Sequence, residues 1–162
     1  MPVPPALQSV FREYPVVVHQ PVQWGELDIA YHVNNTVHAR WSETGRVAYF
    51  LEFAPEAFTQ LEPTEGPILA KLSLKYIAPI FFPDTIWIGT RVTDLLEDRY
   101  TMESLLVSEK SSRACALIKA VLVNYDYRAL KKIPLPENFA ADVQAFEAQV
   151  LAQRVGQTDR DA

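Results

Sequence analysis

The residues best suited to chemistry lie in one polar stretch, between residues 24 and 35. It holds two acids, a histidine and two amides: Glu26, Asp28, His32, Asn34 and Asn35. A carboxylate can attack a carbonyl carbon itself or take a proton from an attacking water molecule. A helical pattern follows at once, and the N–H groups at a helix N-terminus stabilise the oxyanion that such an attack forms. The arrangement therefore suits acyl transfer to water.

A long helix must hold this stretch in place. Apolar or small residues recur at steps of three or four and predict one buried face: Val37, Trp41, Thr44, Ala48 and Leu51. Asn34 or Asn35 is the predicted N-cap, and Pro55 bounds the far end because proline cannot continue a helix. Gly45 lies mid-helix and indicates that something, such as a curved sheet, packs closely against it.

The remaining segments predict a sheet and a second helix. Strand patterns cover Tyr14–Trp24, Ile68–Tyr76, Thr85–Leu95, Tyr100–Ser108 and Ala114–Tyr127. Short polar turns join the last three into an antiparallel meander, with the most apolar strand, the fifth, placed centrally. A short helical turn is expected near Glu56–Leu61. Glu137–Gln153 predicts an amphipathic helix with Phe139, Val143, Phe146 and Val150 on one side. The class is α+β, with the long helix against one sheet face.

Composition limits the classes of function. The 162 residues fit one domain, divided here into a loose N-terminal arm (1–13), a main domain (14–136) and a C-terminal helix and tail (137–162). The net charge of −5 argues against bulk nucleic-acid binding. We expect no secretory signal, no membrane span and a cytoplasmic location. The single cysteine, Cys115, lies in an apolar run and is interpreted as a buried small hydrophobe.

The sequence WGELDIAYHVNN, followed by ARWSETGRVAYF, resembles the hallmark of the 4-hydroxybenzoyl-CoA thioesterase-like branch of the hotdog superfamily. That pattern runs approximately W-G-D-x-D-x-x-G-H-V-N-N-x-x-Y-x-R-Y-x-E-x-x-R. The segments KLSLKYIAPIFFPDTIWIGTRV, VLVNYD and PLPENF look like later parts of the same fold, so most of Pro15–Phe139 is covered. The resemblance implies a hotdog fold, in which an antiparallel sheet of about five strands wraps round a central helix. It also implies a homodimer or homotetramer formed through the sheet, with the active site at the subunit interface.

The resemblance implies hydrolysis of an acyl-CoA thioester to free acid and coenzyme A. Coenzyme A would arrive as part of the substrate, and neither a metal nor another cofactor is implied. Asp28 matches the catalytic aspartate, as nucleophile or general base, and Glu26 matches a preceding acid that we interpret as a loop brace. His32 either polarises the thioester or holds the loop in shape. Asn34 is included among the catalytic residues because the N–H of Val33 or Asn34 is a candidate oxyanion donor.

Further residues are expected to be secondary. Glu43 is a reserve catalytic acid on the helix, with an alternative interpretation as half of a surface ion pair with Arg46. Substrate contacts are expected from the loop and helix start: Tyr31, Val33, Asn35 and His38. Phosphate contacts are candidates for Lys71, Lys75 and Arg91, although strand lysines usually face solvent.

Two positions depart from the family pattern. Tyr31 stands where the family has glycine, and His38 stands where it has tyrosine. They support the alternative that the protein binds acyl-CoA without catalysis. A second alternative, independent of them, is an acyl group attached to a carrier protein.

Overall fold

Alternating β-branched and apolar residues build one sheet, and the long periodic segment forms a helix against it. The computed structural model describes residues 1–58 and 63–158. The strands are β1 (Val16–Pro21), β2 (Glu65–Tyr76), β3 (Thr85–Leu95), β4 (Arg99–Ser108), β5 (Ala114–Asp126) and β6 (Lys131–Lys132). The α-helices are α1 (Pro5–Gln8), α2 (Asn35–Phe53) and α3 (Phe139–Thr158). Short 3-10 helices cover Trp24–Glu26 and Pro55–Phe58.

The sheet is antiparallel throughout, in the order β1-β3-β4-β5-β2, and the short β6 pairs with β5. Helix α2 contacts β1, β3, β4 and β5 on one face of this sheet. The predicted α+β class is confirmed, with five long strands curled round one helix and a further helix at the C-terminus. Strand β5 is interior, as predicted, but β4 occupies the middle of the sheet.

The contact between α2 and the sheet depends on a small residue at mid-helix. A Cβ atom at Gly45 would lie 2.4 Å from Thr90 Oγ1 and 2.8 Å from Ile88 Cγ2. No real Cβ contact is that short, so only glycine allows the helix to lie this close to β3. The close approach predicted from Gly45 is confirmed.

The buried face of α2 differs in part from the prediction. Val37 and Trp41 are buried as expected, but Leu51 is 49% exposed. His38 and Ser42 are buried instead. The sequence pattern missed this rotation because it searched for apolar side chains, whereas the sheet-facing side of α2 is partly polar.

The first residues are not a loose arm. Leu7, Phe11 and Tyr14 are buried on the outer sheet face, the face opposite α2, against Trp87 and Val107. Gly89 makes room for them, because a Cβ there would lie 2.5 Å from the Phe11 ring. The absence of periodicity in a proline-rich segment suggested a loose arm over residues 1–13, but the buried side chains of Leu7 and Phe11 attach it to the sheet.

Helix α3 covers the C-terminal end of α2. Val143 is buried, and Phe139 and Phe146 pack against a cluster that contains Tyr49 and Tyr100, so the predicted apolar side is confirmed. Of the predicted turn at Glu56–Leu61, residues 59–61 lie outside the described residues, as does the C-terminal tail from 159. The boundaries 14–136 and 137–162 stay predictions.

Within the described ranges, no helix is long and apolar enough to cross a membrane.

Candidate active site

The polar stretch between β1 and α2 is held in shape by Glu26. Its carboxylate accepts a hydrogen bond from the Gln23 N–H at 2.9 Å and lies 2.6 Å from the Arg40 guanidinium. The Glu26 carbonyl accepts the N–H of Asn34 at 2.9 Å. These contacts tie the loop to the first turns of α2. Glu26 is therefore the brace that the sequence predicted.

Asp28 lies in a tight turn that fixes both carboxylate oxygens. Oδ1 accepts the Ala30 N–H at 2.8 Å, and Oδ2 lies 3.2 Å from His32 Nδ1. The backbone closes the same turn, because the Asp28 N–H donates to the His32 carbonyl at 2.9 Å. The Asp28 side chain keeps 27% of its surface exposed. A carboxylate held in this way is oriented and still accessible to a ligand.

Tyr31 adopts a backbone conformation that favours glycine. Its φ is 61°, in the left-handed region, and its side chain projects into solvent with 72% exposure. The left-handed conformation costs a side-chain-bearing residue roughly 1–2 kcal/mol. This explains why the family pattern has glycine here, and it shows that the turn keeps its shape without one.

The start of α2 corrects the predicted oxyanion donors. The Val33 N–H donates to the Ile80 carbonyl at 2.8 Å, and the Asn34 N–H already donates to Glu26. Neither is free to bind a substrate oxygen. The Asn34 side chain is the N-cap, because its Oδ1 accepts the Thr36 N–H at 3.0 Å. This leaves the Asn35 N–H, the first of the helix, without an acceptor among the described residues.

His38 lies one turn further along α2 and is 4% exposed. Its Nδ1 is 3.3 Å from the Asn34 carbonyl. The ring is flanked by Tyr76, edge-on at 5.2 Å, and by Trp41 at 5.8 Å. Burial lowers the pKa of His38 below its ordinary value, because an imidazolium loses hydration there.

These groups meet at a cavity of about 380 Å³ at the N-terminal end of α2. Five of the predicted residues line it, namely Asp28, His32, Val33, Asn35 and His38. Its other wall is Tyr76 and the link Ile77–Ile80 that follows β2. Sequence reasoning missed this second wall. The signal in the sequence was the proline-bearing link after β2. Two contacts attach this region to the loop and the helix start. His32 forms a β-bridge with Phe81, and Tyr76 Oη donates to the Asn35 carbonyl at 3.2 Å.

The other predicted cations do not line this cavity. Arg91 lies on the outer sheet face, where it pairs with Glu13 and Glu103. Strand alternation and register place Lys71 and Lys75 on that same outer face, since the residue between them, Ser73, pairs with Lys119. Phosphate contacts by these three residues stay a prediction.

Glu43 also lies outside the cavity, as an exposed residue on α2. The suggested ion pair with Arg46 does not form; Arg46 is buried and donates to Ser42 Oγ at 2.9 Å.

Cys115 is buried, and burial raises the pKa of its thiol, as suits the predicted small hydrophobe. In the part of the chain that the structure describes, no cluster of three or more His, Cys, Asp and Glu side chains could hold a metal ion.

Comparison with known proteins identifies the family. A model of the thioesterase-like superfamily matches residues 22–143, which include both walls of the cavity. The chain belongs to this superfamily. No match was found among curated proteins.

Solved structures of thioesterases share the fold. A thioesterase from Thermus thermophilus, in complex with coenzyme A and zinc, is 28% identical with a TM-score of 0.71. The match covers 84% of this chain and 96% of that one. A putative thioesterase from Pseudomonas aeruginosa, the PA2801 protein, is 25% identical with a TM-score of 0.68, covering 77% and 95%. The family and these neighbours support thioester hydrolysis as the general activity.

Proposed function

We propose that this protein hydrolyses an acyl-CoA thioester to the free acid and coenzyme A. The observation that carries the proposal is the Asp28 carboxylate, oriented by Ala30 and His32 at the wall of a cavity where α2 begins. Its volume of about 380 Å³ suits the acyl end of such a substrate. The coenzyme A bound to the Thermus thermophilus thioesterase supports this carrier.

The Asn35 N–H is the donor that we assign to the thioester carbonyl oxygen. This N–H group lies at the helix N-terminus and has no acceptor among the described residues. Its residue, Asn35, lines the cavity. Negative charge that develops on the oxygen would gain both a hydrogen bond and the favourable field of the helix end. Asp28 then acts on the carbonyl carbon, either directly or through a water molecule.

The remaining lining is mainly apolar and suits the acyl group. Val33, Tyr76 and the link Ile77–Ile80 supply this surface. The resemblance to the 4-hydroxybenzoyl-CoA branch makes an aromatic acyl group the first to test. We therefore take benzoyl-CoA and hexanoyl-CoA as the aromatic and aliphatic probes.

A second copy of the chain is the partner that we propose for the edge of the sheet. Strand β2 pairs with β5 on one side only, and no other described strand of this chain pairs with it. Ile68 and Leu69 on β2, and Ile77 just after it, are 41–50% exposed. An apolar edge strand is a template for another chain, and this one leads directly to the cavity. Light scattering of the intact protein tests the dimer, and a monomer at assay concentration would contradict it.

The decisive variant is Asp28→Asn. The amide oxygen can still accept the Ala30 N–H, so the turn should persist, but the nucleophile or base is lost. We expect turnover of whichever probe is hydrolysed to fall about 10³-fold, within the range of acid–base catalysis. Release of free thiol measures this, with circular dichroism as the check on folding. Near-normal hydrolysis by Asp28→Asn would disprove the role.

Glu43→Gln is the matched control. It neutralises an exposed acid on α2 that does not reach the cavity, so turnover should match the wild type. A large loss in Glu43→Gln would instead revive Glu43 as the catalytic acid.

Two assay results would redirect the proposal. Faster hydrolysis of a hexanoyl group on an acyl carrier protein than on coenzyme A would favour the carrier-protein alternative. Binding of both acyl-CoA probes by calorimetry without any thiol release would favour a binding protein that lacks activity.

A further inference from the structure

His38 has one ring nitrogen whose role the fold explains and one whose role it does not. Nδ1 faces the Asn34 carbonyl at 3.3 Å. A carbonyl oxygen can only accept, so Nδ1 carries the hydrogen of this bond. In the neutral ring, the lone pair is therefore on Nε2. The orientation of the ring between Tyr76 and Trp41 holds this arrangement in place.

Nε2 is the ring nitrogen left for a ligand. The ring also interacts with the Asn35 backbone, but its one hydrogen bond among the described residues is that of Nδ1. Yet every fully enclosed side-chain nitrogen or oxygen in the described part of the chain has a hydrogen-bond partner. Nε2 is thus not fully enclosed, although the residue is only 4% exposed. Since His38 lines the cavity beside Asp28, the small accessible part of the ring includes a lone pair that a bound water molecule can reach.

We propose that His38 is the general base of the hydrolysis, accepting through Nε2 the proton of the attacking water, and that Asp28 is consequently the nucleophile. This inference rests on the proposed function and decides between the two roles left open for Asp28. We assign His32 the orienting role instead, because its Nδ1 is directed at the Asp28 carboxylate and its ring is half-exposed.

The steps balance with water as the only co-reactant. An Asp28 oxygen bonds to the thioester carbonyl carbon, the carbon–sulfur bond breaks, and coenzyme A leaves as the thiolate. Water then bonds to the acyl carbon of the resulting anhydride while one of its protons passes to Nε2. The bond from the acyl carbon to Asp28 breaks, which restores the carboxylate and releases the acid. The His38 imidazolium finally returns its proton to the thiolate or to solvent.

The surroundings suit a base that is neutral near physiological pH. The titratable groups that share the cavity are Asp28 and His32 from the loop and Tyr76 from β2. Burial favours the neutral imidazole, and the His32 ring acts in the same direction when it is charged. The lone pair on Nε2 is accordingly available over most of the neutral range.

The test uses the full-length protein, the two acyl-CoA probes and two variants of different shape. In His38→Asn the amide group can replace Nδ1 and keep the bond to the Asn34 carbonyl, while nothing replaces Nε2. In His38→Gln the amide reaches the Nε2 position but cannot accept a proton there. His19→Asn is the control, since His19 stacks on Trp87 away from the cavity.

Attack by Asp28 does not need His38, so the two half-reactions should separate. We expect each His38 variant to release a rapid burst of one thiol per active site, followed by turnover about 10²-fold slower than in the wild type. The acidic limb that His38 adds to the pH profile of kcat should disappear from both variants. In a His38→Ala variant, added 4-methylimidazole should restore part of the slow phase, because it supplies the missing base.

The outcomes distinguish this inference from the proposed function. If neither probe releases thiol with the wild type, the proposed function fails and this inference fails with it. If the wild type is active and Asp28→Asn is not, the function stands. In that case, an unchanged kcat in both His38 variants overturns the role of His38 alone. A loss of turnover with no burst of thiol and no rescue by 4-methylimidazole does the same.

Discussion

The two ends of α2 treat polar groups in opposite ways. At the C-terminal end, Glu147 of α3 is a half-buried acid whose Oε1 accepts both the Tyr49 hydroxyl at 2.9 Å and the Val92 N–H at 2.8 Å. At the N-terminal end, the Asn35 N–H and His38 Nε2 have no partner among the described residues, and both residues line a cavity.

The difference separates structural polar groups from functional ones. A buried polar group that keeps a partner costs little, whereas an unpaired one costs about 1–3 kcal/mol. At the C-terminal end, the contacts of Glu147 attach α3 to both α2 and β3. At the N-terminal end, the two groups have no protein partner and line an open cavity, so a substrate or water can bind them there. This contrast predicts which substitutions change stability and which change turnover.

The largest stability effect is expected for Glu147→Ala. It leaves the Tyr49 hydroxyl and the Val92 N–H without their acceptor in a region that α3 covers. We expect the free energy of unfolding to fall by about 2–3 kcal/mol. Urea denaturation followed by circular dichroism measures this. Turnover per folded molecule should not change, because Glu147 does not line the cavity.

Glu147→Gln is the control for that loss. The amide oxygen can accept the same two hydrogen bonds without a buried charge, so stability should stay within about 0.5 kcal/mol of the wild type or rise. If Glu147→Gln destabilised as much as Glu147→Ala, the charge rather than the hydrogen bonds would hold this end of α2.

The sequence predicted the elements better than their polar contacts. Strand β3 was bounded correctly, and one of the two N-caps predicted for α2, Asn34, is the observed one, because periodicity and caps are local signals. The packing of residues 1–14 on the outer face was missed, since it depends on Gly89 in a distant strand. Local pattern cannot report that kind of complementarity.

The site was predicted in part for the same reason. Asp28, His32 and His38 follow from one short stretch, and the structure places all three at the cavity. The free N–H was assigned to the wrong residue, because the acceptors for Val33 and Asn34 are the carbonyls of Ile80 and Glu26. The acceptor for Val33 lies in the link between β2 and β3, and no spacing within the loop encodes that contact.

A smaller stability effect is expected at the open end from Tyr31→Gly. Glycine adopts a φ of 61° without steric cost, which removes roughly 1–2 kcal/mol of strain, but it adds about 0.5–1 kcal/mol of entropy loss on folding. The expected net result is a gain of at most about 1.5 kcal/mol, measured by urea denaturation.

Leu130→Gly is the matched control for Tyr31→Gly, because Leu130 has a φ of 53°, lies in the turn between β5 and β6 and does not line the cavity. Both variants should gain similar stability. A loss of stability at Tyr31 alone would mean that its exposed ring makes contacts that offset the strain, as a second copy of the chain would supply.

The smallest effect is a pH dependence of opposite sign at the two ends. Burial raises the pKa of Glu147, so the folded state binds more protons than the unfolded state above pH 4.5, and stability falls as pH rises through that window. Burial lowers the pKa of His38, so below pH 6.5 the unfolded state binds more protons, and stability falls as pH decreases. The free energy of unfolding is measured between pH 4 and 8 for the wild type, Glu147→Gln and His38→Asn. The difference between the wild type and each variant isolates the contribution of that residue. Two differences with the same slope would contradict the contrast between a partnered and an unpartnered end.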